Sequence, residues 1–129
     1  MRVLIADDQP QVRSALRLLL KQEPGVTVVG EAEDTQQALE LAAGQRPDLV
    51  LLDWELPGPW SAGPLKNAGQ RLLPALRARC PRVTVVALSG RPEARQAALD
   101  AGADAFVSKG DPPERVLATV KNCIREQCK

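Results

Sequence analysis

The sequence lacks histidine altogether, and its 129 residues include only three aromatic residues and three cysteines. The cysteines, Cys80, Cys123 and Cys128, do not have the spacing of metal ligands, and no histidine is present to complete a zinc site. Their odd number also argues against a disulfide framework. We therefore expect reduced thiols and no zinc, with Cys123 as a small buried side chain beside the apolar stripe of the last helix.

An excess of charge of one sign and long apolar runs are missing as well. The 17 basic and 16 acidic residues give a net charge of +1, and no block of like charge could serve as a nucleic-acid-binding arm. No run of about eighteen apolar residues exists, and the N-terminus reaches acidic residues too early for a signal peptide. We expect a soluble cytoplasmic chain that has no membrane partner and does not bind DNA specifically by itself.

Short aliphatic runs alternate with longer segments of helical period along the whole chain. The runs are residues 3–6, 26–29, 49–52, 83–88 and 105–107. Apolar stripes at helical spacing are formed by Val12, Leu16, Leu19 and Leu20, by Ala38, Leu39, Leu41 and Ala42, and by Val116, Leu117, Val120 and Ile124. This alternation predicts an α/β protein with a doubly wound (βα)5 fold around a five-stranded parallel sheet. The length predicts one domain over residues 1–129, without an output domain.

The third helix is the least regular element of this pattern. The segment "PGPWSAGPLKNAGQRLLPALRARC" contains four prolines, of which Pro74 lies among apolar residues at helical spacing. Proline removes a backbone donor and clashes with the preceding turn of a helix. We therefore predict a long loop after the third strand, followed by a helix that starts near Pro74 or is bent there.

Acidic residues follow two of the predicted strands directly. Asp7 and Asp8 end the first strand, and Asp53 ends the third after the run "LVLL". In the flavodoxin-like strand order 2-1-3-4-5 these strands are neighbours, and their carboxyl ends form the ligand-binding edge of the sheet. Three converging carboxylates repel one another unless a cation joins them, and Mg²⁺ with oxygen ligands suits such a site.

Two further strands end in groups that complement this acidic cluster. Ser89 follows "VVAL" and Lys109 follows "AFVS". A hydroxyl and an ammonium group beside a metal-bound carboxylate can hold the oxygens of a phosphoryl group. Asp53 would then be a nucleophile that receives a phosphoryl group as a mixed anhydride.

Each of these residues has a simpler interpretation when it is taken alone. The pair Asp7 and Asp8 could cap the first helix, and an aspartate after a strand commonly belongs to a turn. Ser89 before a glycine is a turn, Lys109 alone is a solvated charge, and Phe106 alone is a core aromatic residue. Only the convergence of Asp7, Asp8, Asp53, Ser89 and Lys109 at consistent strand ends favours a site.

The motifs "LIADDQP", "DLVLLDWELPG", "VVALSG" and "GADAFVSK" together resemble the receiver domain of two-component response regulators, in order and over nearly the whole chain. The resemblance implies a phosphoryl-accepting signalling switch whose donor is a sensor histidine kinase or a phosphotransfer protein. The residues that it implies are Asp53 as phosphoacceptor, Asp7, Asp8, Asp53 and the backbone carbonyl of Glu55 around Mg²⁺, Ser89 as switch hydroxyl, Phe106 as switch aromatic residue, and Lys109 as phosphate-binding lysine. It also implies an output surface, and a possible homodimer contact, on the fourth helix, the fifth strand and the last helix.

The sequence departs from this family pattern at three places. Glycine follows Lys109 where many receivers have proline, so no cis peptide bond is expected there. Residues 59–67, which include Trp60, form an insertion that we interpret as a lid or docking loop. Glu55 adds an acid that could tighten cation binding, repel phosphate or steer an attacking water molecule, and the sequence leaves these roles open.

Three other functions are alternatives to the signalling switch. A small hydrolase could use Asp53 as nucleophile and Glu55 as acid or base, but one domain without a cap offers little room for a substrate. The chain could be the receiver part of a longer DNA-binding transcriptional regulator. A degenerate receiver that works without phosphorylation is disfavoured because every expected site residue is present. We therefore expect no enzymatic activity beyond self-phosphorylation and self-dephosphorylation.

Overall fold

Five strands and five helices alternate in residues 1–57 and 68–127, the part of the chain that the computed structural model describes. The elements are β1 (Arg2–Ala6), α1 (Pro10–Leu20), β2 (Thr27–Ala32), α2 (Thr35–Gln45), β3 (Leu49–Asp53), α3 (Ala68–Arg79), β4 (Thr84–Ser89), α4 (Ala94–Asp100), β5 (Ala105–Ser108) and α5 (Pro113–Gln127). The strands form one sheet in the order β2-β1-β3-β4-β5, and every neighbouring pair is parallel. The predicted doubly wound fold is confirmed.

The central strand β3 shows why these sequences form a parallel sheet. All five of its residues are buried, because helices cover both faces of the sheet. Leu49 and Leu51 pack into a core with α1 and α5, whereas Val50 and Leu52 pack into a second core with α2, α3 and α4. We call these the α1–α5 core and the α2–α3–α4 core. Burial of each such side chain stabilises the fold by roughly 1.5–3 kcal/mol.

The alternation of side chains along β3 continues past its last apolar residue. Trp54 is fully buried in the α2–α3–α4 core, on the face opposite to that of Leu49 and Leu51. Because side chains alternate along a strand, Trp54 faces the other side of the strand end from Asp53. Trp60 and the predicted insertion of residues 59–67 lie outside the described residues, as does Cys128.

Helix α3 is continuous from Ala68 to Arg79 with Pro74 in its interior. The predicted start near Pro74 was therefore wrong, and the alternative, a bend at Pro74, stays a prediction. Leu72, Leu73 and Leu76 are at most 1% exposed, so the apolar face of the helix is anchored in the core on both sides of the proline. Pro74 itself is exposed. Tertiary burial therefore outweighs the loss of one helical hydrogen bond.

The remaining sequence predictions concern the thiols and the membrane. Cys80 and Cys123 are buried free thiols, and burial raises the pKa of both. The prediction for Cys123 is confirmed. Among residues 1–57 and 68–127, no helix combines the length and the apolar character needed to cross a membrane.

Candidate functional site

The carboxyl ends of β1 and β3 bring three acidic side chains together. Ala6 pairs with Leu52 across the two strands, so the next residues, Asp7 and Asp53, emerge side by side at one edge of the sheet. Carboxylate oxygens of Asp7, Asp8 and Asp53 all lie within 4.8 Å of one another. Asp7 is 0% and Asp53 is 2% exposed, whereas Asp8 faces solvent. The cluster is thus an acidic pocket with an open side at Asp8.

Lys109 reaches the same cluster from the end of β5. Its Nζ atom lies 2.8 Å from Asp7 Oδ2 and 3.4 Å from Asp53 Oδ1. The backbone N–H of Lys109 donates to the carbonyl oxygen of Ser89 at 2.8 Å, which fixes the start of the lysine side chain against β4. One ammonium group therefore contacts two carboxyl groups of a cluster of three.

Asp7 is held by the chain around it and by Lys109. Its Oδ1 accepts from the backbone N–H of Gln9 at 2.9 Å. Its buried Oδ2 forms an ion pair with Lys109 Nζ at 2.8 Å. Three carboxyl groups whose oxygens lie within 4.8 Å of one another form an oxygen-rich cluster that fits a hard cation such as Mg²⁺.

The local geometry argues against the simpler interpretation that Asp7 and Asp8 cap α1. The cap position of α1 is occupied by Gln9, and no side chain caps this helix by a hydrogen bond. Asp7 instead makes a turn with Gln9 before the helix begins. Asp8 thus makes no capping hydrogen bond to α1, and its carboxylate contributes to the acidic cluster.

The electrostatics of the pocket raise the pKa of both Asp53 and Lys109. Burial is the largest cause for Asp53, and with the charge of Asp7 it outweighs the opposing effect of Lys109, so that the pKa of Asp53 rises to about 7. Burial lowers the pKa of Lys109, but the close contact with Asp7 and the charge of Asp53 raise it above its ordinary value. The lysine therefore stays protonated, and Asp53 exchanges a proton near neutral pH.

Ser89 is fully buried at the end of β4 and does not point into free space. Its Oγ donates to Glu55 Oε1 at 2.7 Å and accepts from the backbone N–H of Arg91 at 3.0 Å. The other carboxylate oxygen of Glu55 lies 3.6 Å from Arg91 Nη2. The backbone N–H of Glu55 donates to Asp53 Oδ1 at 3.0 Å. Glu55 thus joins the hydroxyl of β4 to the acid of β3.

Phe106 lies on β5, three residues before Lys109. It is partly buried and packs against the α2–α3–α4 core. It also lines an open depression of about 230 Å³ together with Pro92, Arg95 and Arg115. The ring therefore lies between the core and a surface formed by α4, β5 and α5, with space beside it.

Two arginines of the site were not predicted from the sequence. Arg13 on α1 donates from Nη1 to the backbone carbonyl of Asp7 at 2.7 Å and so fixes the turn that carries the aspartate pair. Arg91 contacts both Glu55 and Ser89. Neither arginine belongs to the motifs at the strand ends. Helical spacing from Pro10 places Arg13 on the first turn of α1, but it does not show which way the long side chain points.

The sequence of the chain is similar to those of known proteins. The family model "Response regulator receiver domain" matches residues 3–121. The nitrate/nitrite response regulator protein NarL of Escherichia coli is 35% identical over 115 residues, which are 89% of this chain and 50% of that protein. A protein-glutamate methylesterase/protein-glutamine glutaminase of Myxococcus xanthus is 40% identical over 109 residues, which are 84% of this chain and 30% of that protein.

A solved structure of a receiver domain is similar to this chain in its fold. The signal receiver domain of the putative response regulator NarL from Mycobacterium tuberculosis has a TM-score of 0.80 and 31% identity, over 96% of this chain and 95% of that one. The chain spans about half the length of NarL from Escherichia coli and of several other curated relatives. The similarity thus concerns one part of those proteins.

Proposed function

This chain belongs to the response regulator receiver domain family, and on that premise we propose that it is a phosphoryl-accepting switch whose acceptor is Asp53. The observation that carries the proposal is the position of this carboxylate. It is buried at the carboxyl end of β3, within 4.8 Å of Asp7 and Asp8 and 3.4 Å from Lys109. An ammonium group beside a carboxylate nucleophile suits a reaction in which a dianionic group approaches.

The chemical step forms one bond and breaks another at phosphorus. A carboxylate oxygen of Asp53 attacks the phosphorus atom of a phosphohistidine on a sensor kinase or phosphotransfer protein. The P–N bond breaks, and its electron pair returns to the imidazole of the donor, while the new P–O bond completes a mixed anhydride. Lys109 stabilises the charge on the transferred oxygens. Water attack at phosphorus later restores the Asp53 carboxylate and releases phosphate.

Mg²⁺ is the cation that the acidic pocket suits, and we propose Asp7, Asp8, Asp53 and the backbone carbonyl of Glu55 as its ligands. Bound there, the ion supplies positive charge against the carboxylates and the phosphoryl oxygens. The convergence of the three carboxyl groups within 4.8 Å of one another supports this assignment. The proposal gives the chain no substrate turnover of its own beyond gaining and losing the phosphoryl group.

The proposed response to phosphorylation starts at Ser89 and Phe106. The Ser89 hydroxyl moves to a phosphoryl oxygen, and Phe106 turns inward into the space that the change opens. Together they alter the surface of α4, β5 and α5, which a partner or a second copy of the chain then reads. A two-state element biased by a new charge is sufficient for such a switch.

The relatives support a transcriptional output as an extension of this proposal. Several are named as transcriptional regulators, and the similar segment covers about half of their length. We propose that any DNA contact lies outside the 129 residues of this chain. The expected result is therefore no sequence-selective shift of DNA by the isolated chain at moderate salt, and such a shift would overturn this extension.

The experiment for the main proposal is labelling with acetyl phosphate and Mg²⁺. One phosphoryl group per chain is expected, and it is lost in hydroxylamine because acyl phosphates react with this nucleophile. Asp53→Asn and addition of a chelator should both abolish labelling. Asp34→Asn is the matched control, since Asp34 caps α2 and asparagine caps equally well. Label that persists in Asp53→Asn rejects the proposal.

A further inference from the structure

The hydroxyl of Ser89 is already engaged in the unphosphorylated protein. A serine hydroxyl has a single proton to donate, and here that proton goes to Glu55 Oε1 at 2.7 Å. The acceptor is a carboxylate, and hydrogen bonds to an ionised group are stronger than those between neutral groups. Ser89 cannot donate to a phosphoryl oxygen on Asp53 while this bond is intact.

Glu55 is held in place for this contact from both ends. Its backbone N–H is bonded to Asp53 Oδ1 at 3.0 Å, so its main chain is fixed to the phosphoacceptor. Its Oε2 is 3.6 Å from Arg91 Nη2. The backbone N–H of Arg91 in turn donates to Ser89 Oγ at 3.0 Å. Ser89, Glu55 and Arg91 therefore form a closed ring of contacts between the ends of β3 and β4, in which Arg91 takes part through both its guanidinium and its backbone N–H.

We propose that Glu55 is a positioning residue that holds the switch hydroxyl in the inactive arrangement, as a latch that the phosphoryl group must displace. This inference rests on the proposed function of Asp53 and Ser89. It assigns the side chain of Glu55 a role separate from that of its backbone carbonyl. The Glu55 carboxylate and the phosphoryl group compete for the hydroxyl proton of Ser89. A stronger hydrogen bond to Glu55 therefore lowers the fraction of molecules in which Ser89 binds the phosphoryl group.

The competition makes a prediction about affinity for beryllofluoride, a stable mimic of the phosphoryl group. Glu55→Ala frees the Ser89 hydroxyl, and binding should tighten by about three- to tenfold, the range for a partly exposed charged hydrogen bond. Glu55→Gln keeps an acceptor oxygen without the charge, and its affinity should lie between those of Glu55→Ala and the unmodified protein. Glu93→Ala, which removes an exposed acid without a capping bond, should leave the affinity unchanged.

Glu55→Ala would also remove charge repulsion between Glu55 and beryllofluoride. The same substitution in a Ser89→Ala background distinguishes this repulsion from the release of the hydroxyl. In Ser89→Ala no hydroxyl exists for Glu55 to hold. The proposed role of Glu55 predicts that Glu55→Ala has no effect on beryllofluoride affinity in this background. The reason is that both substitutions remove the same hydrogen bond, from Ser89 to Glu55. Repulsion alone predicts the same gain in both backgrounds.

The measurement is a fluorine NMR titration of beryllofluoride at saturating Mg²⁺ for the full chain and each variant, after thermal unfolding has shown that all are folded. A gain that disappears in the Ser89→Ala background supports the latch. An equal gain in both backgrounds, or no gain in either, overturns it. Absence of beryllofluoride binding to the unmodified protein would instead count against the proposed function itself.

Discussion

Asp53 is a carboxyl group that must ionise in a nearly dry position. It is 2% exposed, and burial together with the charge of Asp7 outweighs the ammonium of Lys109, so that the pKa of Asp53 lies at about 7. A nucleophile and a metal ligand both need the charged form. The proposed cation therefore changes the protonation of the proposed phosphoacceptor.

This coupling predicts that Mg²⁺ affinity depends on pH. A raised pKa means that Asp53 holds a proton below about pH 7, and the ion must displace it. The apparent dissociation constant should rise by about tenfold per pH unit as pH falls below about 7, and it should level off above that value. Calorimetry in two buffers of different ionisation enthalpy measures the released proton.

Asp53→Asn is the control for this titration, because asparagine has no proton to release in this range. Its weaker Mg²⁺ binding should lose most of the dependence on pH. An affinity of the unmodified protein that stays constant between about pH 5.5 and 8 would contradict the coupling.

Lys109 should stabilise the protein in the absence of metal. Lys109→Met removes the ammonium from Asp7 and Asp53, and we expect a loss of about 1–3 kcal/mol at about pH 8. The loss should be smaller at about pH 5, because Asp53, with a pKa of about 7, is then protonated in both proteins. Urea unfolding in a chelator at the two pH values gives the difference.

Lys121→Met provides the comparison at an exposed pair. Lys121 lies 3.4 Å from Glu23 and is 44% exposed, so its removal should change the free energy of unfolding by less than about 1 kcal/mol at either pH. Equal losses for the two lysines would show that Lys109 is an ordinary surface charge.

Only those residues of the site that follow a strand directly could be predicted from the sequence. Asp7, Asp53, Ser89 and Lys109 follow apolar runs, and parallel strands bring such positions to one edge. The contacts of Arg13, and the ring that Glu55 forms with Ser89 and Arg91, depend on where long side chains turn after leaving the backbone. No periodicity in the sequence encodes that direction.

At the scale of elements, strands were easier to predict than the third helix. The inner strands β3 and β4 are covered on both faces, so their composition is largely apolar, and their existence follows from it. Helix α3 carries Pro74, and local propensity alone predicts a break. Leu72, Leu73 and Leu76 are buried on one face, and this long-range packing is invisible to a local rule.

The continuity of α3 makes Pro74 a test of that explanation. Pro74→Ala restores a backbone donor at an exposed position, and the free energy of unfolding should increase by about 1–2 kcal/mol after allowance for the more flexible unfolded chain. Leu76→Ala should lower it by about 2–5 kcal/mol. Urea unfolding measures both. A destabilised Pro74→Ala variant would mean that the helix depends on the proline itself.

In the whole molecule, the acidic cluster at the carboxyl edge of the sheet and the surface of α4, β5 and α5 are separate regions. The α1–α5 core and the α2–α3–α4 core meet across β3 and β4, whose ends carry Asp53 and Ser89. Phe106 links the second core to the surface of α4, β5 and α5. We therefore propose that a change at this edge of the sheet reaches the surface of α4, β5 and α5 through Phe106.

Reduction with borohydride tests whether Asp53 alone receives the phosphoryl group. Borohydride converts an aspartyl phosphate to homoserine, which marks the modified position permanently for peptide mass spectrometry. After reaction with acetyl phosphate and Mg²⁺, we expect homoserine at position 53 and at no other aspartate. Homoserine at position 7 or 8, or a phosphoryl group that survives reduction on Ser89, would contradict it.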